Sequence, residues 1–112
     1  MENCIFCKII AGEIPSAKVY EDDKMLVFKD IQPIAKVHLL CIAKEHFAYL
    51  SDLNESRAQL VGYMLQTVGA KKDEWGLSDG YRVVINQGEN AGQPVHHLHM
   101  HLLGGETLPW GN

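Results

Sequence analysis

Residues 97–101 read His97-Leu98-His99-Met100-His101, and Leu102 continues the alternation of imidazole and apolar side chains. A period of two belongs to the β-strand, whose successive side chains leave opposite faces of the sheet. The three histidines then share one face at intervals of about 6–7 Å, while Leu98, Met100 and Leu102 fill the other. Such a strand buries its apolar face and turns a reactive surface the other way. Histidine titrates near neutrality and serves as general base, nucleophile or metal ligand.

The chain has 112 residues, enough for one core, so a single domain over 1–112 is expected. No apolar run approaches the roughly 18–20 residues of a membrane span. The start, Met1-Glu2-Asn3-Cys4, lacks the basic and apolar parts of a signal peptide, so a cytoplasmic location without membrane partners is expected. A formal charge of −4 speaks against a nucleic-acid partner, which usually selects a basic protein. No lysine or arginine follows Arg82. An anion over the histidine strand would therefore rest on imidazoles and backbone N–H groups, which suits one phosphate better than a triphosphate.

Lys18-Val19-Tyr20-Glu21 and Met25-Leu26-Val27-Phe28-Lys29 read as strands around an Asp22-Asp23-Lys24 turn. Strand character resumes after Pro33 at Val37-His38-Leu39-Leu40-Cys41-Ile42 and again at Tyr81-Arg82-Val83-Val84-Ile85-Asn86. Between them lies a long helix with Ser51, Asp52 and Asn54 as competing N-caps. Its apolar stripe comprises Leu53, Leu60, Val61, Met64, Leu65 and Val68, and its end is expected near Trp75-Gly76. Strands in sequence with one helical insertion indicate an α+β domain built on an antiparallel sheet.

Three cysteines cannot all pair, and a cytosolic setting keeps thiols reduced. Cys4 and Cys7 sit at i, i+3 in a short helix that reads from Asn3 as N-cap to Gly12 just past its end. This Cys-x-x-Cys pair is half a zinc site, a redox pair or two small apolar fillers; His46 and His97 are candidate further ligands. Cys41, in an apolar strand, reads as packing. The loop from Gly88 to Gln93 either brings backbone N–H groups to an anion or merely connects strands. Asp30 suits a sugar hydroxyl or a turn cap, and His38 a structural or a catalytic role.

The segment Gly92-Gln93-Pro94-Val95-His96-His97-Leu98-His99-Met100-His101-Leu102-Leu103 resembles the signature of the histidine triad (HIT) superfamily. The likeness extends to Cys4-Ile5-Phe6-Cys7-Lys8-Ile9-Ile10, Glu13-Ile14-Pro15, Phe28-Lys29-Asp30-Ile31, the His38 strand and Gly80-Tyr81-Arg82-Val83-Val84-Ile85-Asn86. The ending Gly104-Gly105-Glu106-Thr107-Leu108-Pro109-Trp110 most resembles the Hint branch, the histidine triad nucleotide-binding proteins.

This resemblance implies a HIT-like fold: a five-stranded antiparallel sheet, a short N-terminal helix and one long helix, dimerising into a ten-stranded sheet. It implies hydrolysis at the α-phosphate of a purine nucleoside phosphoramidate or related conjugate. His99 matches the nucleophile that forms a covalent nucleotidyl-histidine, with His101 and His38 supporting phosphate and nucleophile. The His97 carbonyl would orient His99. Asp30 matches the ribose-binding acid, Phe6, Ile9, Phe28 and Ile31 the base pocket, and Asn86, Gly92 and Gln93 the phosphate surroundings. Trp110 matches a residue reaching towards the partner's site. By position, Cys4, Cys7, His46 and His97 match a structural zinc site, and no catalytic metal is required.

Two positions depart from the family pattern. Pro94 stands where a serine near the leaving group is common, and proline has neither hydroxyl nor N–H. Any proton delivered there would come from His101, water or the Gln93 amide, so slower turnover or another leaving-group preference is expected. His96, where an aromatic residue is usual, reads as packing or subunit contact. The alternatives are a dinucleoside polyphosphate hydrolase, a nucleotide-binding scaffold with weak catalysis, and a metal-handling protein using the histidine strand itself.

Overall fold

Five strands, β1 (Lys18–Glu21), β2 (Met25–Lys29), β3 (Val37–Ala43), β4 (Tyr81–Val84) and β5 (His99–Gly104), pair in one antiparallel sheet. The computed structural model describes residues 4–110. Strand order is β1-β2-β3-β5-β4, so the last strand enters between two earlier ones. The β1–β2 turn closes through Asp22, whose Oδ1 accepts the N–H groups of Lys24 (2.8 Å) and Met25 (2.9 Å).

Each face of the sheet is covered by one helix. The α2 helix (Glu55–Lys71) lays Met64 and Val68 on Met25, Val27, Leu39, Cys41, Leu98, Met100 and Leu102. The short α1 helix (Ile5–Ile10) lays Phe6 and Ile9 on Leu26, Phe28, Leu40 and Ile42 of the opposite face. Both apolar faces of β2 and β3 are thus buried, and these strands read as continuous hydrophobic runs for that reason. Cys41 is fully buried as packing.

Local chemistry decides the helix ends. Asn54 is the N-cap of α2, its side chain accepting the Arg57 N–H at 2.9 Å. Ser51 and Asp52 belong instead to a preceding 3-10 turn (Leu50–Asp52), where the Asp52 carboxylate accepts the Tyr49 N–H. The helix stops at Lys71, short of the expected Trp75-Gly76. Turns bonded from Trp75 N–H to Lys71 O (3.1 Å) and Leu77 N–H to Lys72 O (2.8 Å) lower Trp75 and Leu77 into the core. In the stripe itself, Leu53, Leu60 and Val61 pack at the core margin, but Leu65 is 44% exposed. For α1, Cys4 is the N-cap, with Sγ accepting the Cys7 N–H; Asn3, the expected cap, lies outside the described residues.

The register of β3 against β5 builds the histidine face. Ile42 lies opposite His99, Leu40 opposite His101 and His38 opposite Leu103, so His38 and His101 are diagonal neighbours on the α1 side. The end of β5 is pinned by glycine. Gly105 has φ +79°, and a Cβ there would lie 2.8 Å from Val37 Cγ2.

Candidate active site

Strand β5 begins at His99, one turn of the alternation later than the pentapeptide suggests. His97 precedes it in a bend, yet the alternation of faces continues. Leu98 is the reason: its N–H donates to Phe47 O at 2.7 Å and its carbonyl accepts from Ala43 at 3.3 Å, which holds the chain flat against β3. Leu98 consequently points to the α2 core, and His97 points to α1 and is fully buried.

His97 reaches a cluster at the start of α1. Its Nδ1 lies 3.3 Å from Cys4 Sγ, 3.6 Å from Cys7 Sγ and 3.1 Å from His46 Nδ1, while Cys7 Sγ is 3.2 Å from His46 Nδ1. All four donor atoms lie within 4.8 Å of one another. The other ring nitrogen of His97, Nε2, donates to Ala43 O at 2.5 Å, so Nδ1 carries a bare lone pair. Zinc bonds of about 2.3 Å to sulfur and 2.0–2.1 Å to nitrogen require tetrahedral edges of roughly 3.4–3.8 Å. The cluster approximates that tetrahedron with a donor set suited to zinc. Burial and the adjacent Cys4 push the Cys7 thiol up to about 11, a cost that a divalent cation would offset by stabilising the thiolate.

The nucleophile candidate stands next to this cluster. His99 Nδ1–H donates to the His97 carbonyl at 2.7 Å, which leaves the lone pair on Nε2. That nitrogen is buried and meets no hydrogen-bond partner among the described residues. The ring is 2% exposed, with Phe6 edge-on at 5.0 Å and the His101 ring at 5.2 Å. Burial lowers its pKa; the His97 carbonyl and Asp30 act in the opposite sense without overcoming it. His99 is therefore neutral at pH 7.

A second chain of hydrogen bonds sets the remaining two rings. The Ile34 N–H donates to His38 Nδ1 at 3.2 Å, so the His38 proton sits on Nε2. From there it points to His101 Nδ1 at 3.0 Å, with Asp30 Oδ2 at 3.4 Å. His101 accepts at Nδ1 and so carries its proton on Nε2, which bonds to no other described residue. Burial, then the neighbouring His99 and His38, lower the His101 pKa to about 4. Asp30, His38 and His101 also lie close enough to share a metal ion. The Ile34 N–H argues against that role, because it keeps the lone pair of His38 Nε2 protonated.

The other expected site residues divide. Phe6, Ile9 and Phe28 are buried together, with the Phe6 and Phe28 rings 6.0 Å apart. Ile31 does not join them: it is 95% exposed beside Asp30 at the β2–β3 loop. Asp30 serves its own turn with Oδ1, which accepts the Gln32 N–H at 2.8 Å, and turns Oδ2 to His38. A cleft of about 470 Å³ at this loop is lined by Asp30, His38, Lys29 and Lys36. Val37, Leu39, Glu74 and Trp75 also line it, so the cleft opens towards the α2 side and does not contain His99 or His101. A larger cleft of about 720 Å³, between Ser78 and Glu106, contains none of the imidazoles.

On the phosphate side, Asn86 Nδ2 donates to Ala91 O at 3.0 Å, and Gly92 adopts a left-handed conformation. The Gln93 amide is anchored by the main chain around it, with one Nε2–H uncommitted. Its Oε1 accepts the Gly88 N–H (2.8 Å), its Nε2 donates to Ala48 O (3.2 Å) and its backbone N–H to Gly88 O (3.1 Å). His96 is exposed and bonds Tyr49 Oη through Nδ1 at 2.9 Å; Trp110 is 95% exposed. The groups that sequence reasoning missed are main-chain ones, Ala43 O and Ile34 N–H, which residue type does not signal.

Comparison with known proteins agrees with this geometry. The family model for "scavenger mRNA decapping enzyme C-term binding" matches residues 3–109, nearly the whole chain. An uncharacterised HIT-like protein of Synechococcus elongatus is 50% identical over 109 residues, covering 97% of this chain and 96% of that one. The chain belongs to the histidine triad superfamily. Among solved HIT structures, the HIT family hydrolase of Legionella pneumophila superposes with a TM-score of 0.92 at 44% identity, covering 97% of this chain and 98% of that one. The five-stranded α+β architecture of this HIT chain is therefore that of the family. A 14 kDa zinc-binding protein of Zea mays is 46% identical over 108 residues, 95% of this HIT chain and 84% of its own.

Proposed function

We propose that this HIT protein is a nucleotide-binding hydrolase that cleaves purine nucleoside phosphoramidates, or related nucleotidyl conjugates, through a covalent intermediate on His99. The observation that carries the reading is the buried lone pair of His99 Nε2, fixed there by the Nδ1–H bond to the His97 carbonyl. In the first step Nε2 attacks the α-phosphorus, a P–N bond to His99 forms, and the bond to the leaving group breaks with its electron pair. The departing amine takes its proton from water, while the neutral His101 Nε2–H hydrogen-bonds a phosphate oxygen or the leaving group without giving up its proton. Water then attacks phosphorus and loses its proton to solvent, the P–N bond to His99 breaks with its electron pair returning to Nε2, and the nucleoside monophosphate is released. Asp30 takes the ribose, and Phe6, Ile9 and Phe28 the base, with Ile31 closing on the base from the loop. Asn86 and the Gly92-Gln93 turn border the phosphate.

The near-complete burial of His99 requires movement. Contact of the base with Phe6, the ring edge-on to His99, is the step that uncovers Nε2. Cys4, Cys7, His46 and His97 would hold a structural zinc ion that ties α1 to the sheet; with four protein ligands it would leave no open position for substrate. The outer edge of β4 pairs with no described strand, and its four residues are half-buried, which supports a homodimer joined edge to edge into ten strands. Trp110 would then reach the partner's site. No helix among the described residues is long and apolar enough to cross a membrane, and a cytoplasmic setting keeps Cys4 and Cys7 reduced for zinc.

Single-turnover reaction with adenosine phosphoramidate, quenched in acid-free denaturant, tests the chemistry. A protein mass increased by one adenylyl group, absent in His99→Ala, is the expected result. Turnover without any His99-dependent adduct would overturn the covalent route. A scaffold with weak catalysis is the second reading, favoured by Pro94 together with the covered Nε2; tight nucleotide binding with no adduct would support it. A dinucleoside polyphosphate hydrolase would show preferential turnover of dinucleoside polyphosphates in the same assay.

A further inference from the structure

We propose that the Cys4–Cys7–His46–His97 cluster, when it holds a zinc ion, positions His99, with His97 as the positioning residue that joins the two sites. The proposal rests on the zinc reading above but not on the identity of the substrate. His97 serves both sites at once: its ring nitrogen Nδ1 belongs to the cluster, and its main-chain carbonyl holds His99 Nδ1–H at 2.7 Å. No ladder bond anchors that carbonyl, because the first β3–β5 pair is Ile42 with His99 and His97 lies ahead of it. Its place depends instead on Leu98 N–H to Phe47 O and on the anchored imidazole of His97 itself.

Without a cation, His97 Nδ1 has only the weak thiol donor of Cys4 at 3.3 Å and the imidazole of His46 at 3.1 Å in place of a coordinate bond. The ring is then held less firmly, and with it the peptide whose carbonyl orients His99. Once the His97 carbonyl turns, His99 loses the bond that distinguishes its two neutral tautomers.

A second route runs through Phe6. This residue lies between Cys4 and Cys7, and its ring is edge-on to both His97 (5.9 Å) and His99 (5.0 Å). The α1 helix has six residues, too few to persist without tertiary anchors. Two anchors are the cluster cysteines and the others are Phe6 and Ile9. Release of the cysteines therefore loosens the ring that covers His99.

The test is the ring-nitrogen spectrum of His99 in full-length protein labelled with 15N-histidine, with zinc content measured on the same sample. His99 is assigned from the signal lost in His99→Gln. With zinc bound, His99 is expected as a single tautomer, protonated at Nδ1. Removal of zinc by a chelator should move its two nitrogen resonances towards one another, the signature of tautomer exchange, while the backbone amides of β2 and β3 keep their positions. His46→Ala, whose ring meets Cys7 and His97 and not His99, should give the same His99 spectrum even with zinc added. Where chelation loosens the sheet, this variant is the deciding comparison. Zinc bound and then removed with no change at His99 overturns the coupling alone; protein that takes up no zinc overturns the zinc reading and the coupling with it.

Discussion

His99 and His101 lie side by side on β5 with ring centroids 5.2 Å apart, yet their hydrogen-bond partners give them opposite tautomers. His99 gives its Nδ1 proton to the His97 carbonyl and keeps a lone pair at Nε2. His101 accepts at Nδ1 from His38 and keeps a proton at Nε2. One ring thus presents a nitrogen lone pair and its neighbour an N–H donor, the pairing that the proposed attack on phosphorus would use. Replacing His99 by asparagine should lower kcat/KM by about 10³-fold or more, with nucleotide binding retained. Single-turnover kinetics with an equilibrium binding measurement separates the two, and a loss confined to binding would contradict the assignment.

Acid should destabilise the fold before it protonates the site. In the folded chain His101 has its pKa lowered to about 4, and His38, His97 and His99 are also lowered by burial. Unfolded histidines, near 6.5, bind protons first as the pH falls. Stability contributed by these neutral rings is thus complete above about pH 6.5 and declines towards pH 4, where His101 charges in the folded state. Midpoints of urea unfolding should fall over that window. A midpoint that rises from pH 6.5 to 4.5 would reverse the sign.

Metal analysis of protein purified without chelator should find about one zinc ion per chain, and a value below about 0.3 would count against the site. Cys7→Ser should lower zinc content and reduce Tm by roughly 10 °C, since α1 loses an anchor it cannot replace.

At the end of β5, Gly105→Ala should be costly. The residue would adopt φ +79° with its Cβ 2.8 Å from Val37 Cγ2, a combination worth roughly 2–3 kcal/mol. Thermal unfolding should show a drop of about 10 °C. An unchanged Tm would mean that the β5 terminus relaxes freely.

Pro94 is exposed beside the loop that leads into the histidines, and the Gln93 amide next to it is anchored on Gly88 and Ala48. Pro94→Ser should therefore raise kcat for amine leaving groups, by an order of magnitude for a well-placed hydroxyl. Equal rates for the two proteins would show that proton delivery does not pass through this position.

The period-two alternation from His97 to Leu102 revealed the strand and its two faces, because a buried face imposes a pattern that residue types display; which imidazole is the candidate nucleophile came from the family resemblance. The grouping of Cys4, Cys7, His46 and His97 was legible only through family resemblance; spacing over 93 residues leaves such a site open, and the fold closes it geometrically. The main-chain partners of His97 and His38 were illegible. Nothing in the residue types marks Ala43 O or Ile34 N–H, although these groups assign the His97 and His38 tautomers. The end of α2 was misplaced because Trp75 and Leu77 continue the apolar content but reach the core from turns. Leu65 was read as inward-facing from spacing and is exposed.

Because β5 is inserted between β3 and β4, the latter has no neighbour in the sheet until the last strand docks. Refolding should accordingly acquire its reactive pair of rings in the same event that recruits the Tyr81 segment. A chain arrested before that event would expose two open borders for aberrant pairing and lack the paired imidazoles of its candidate site.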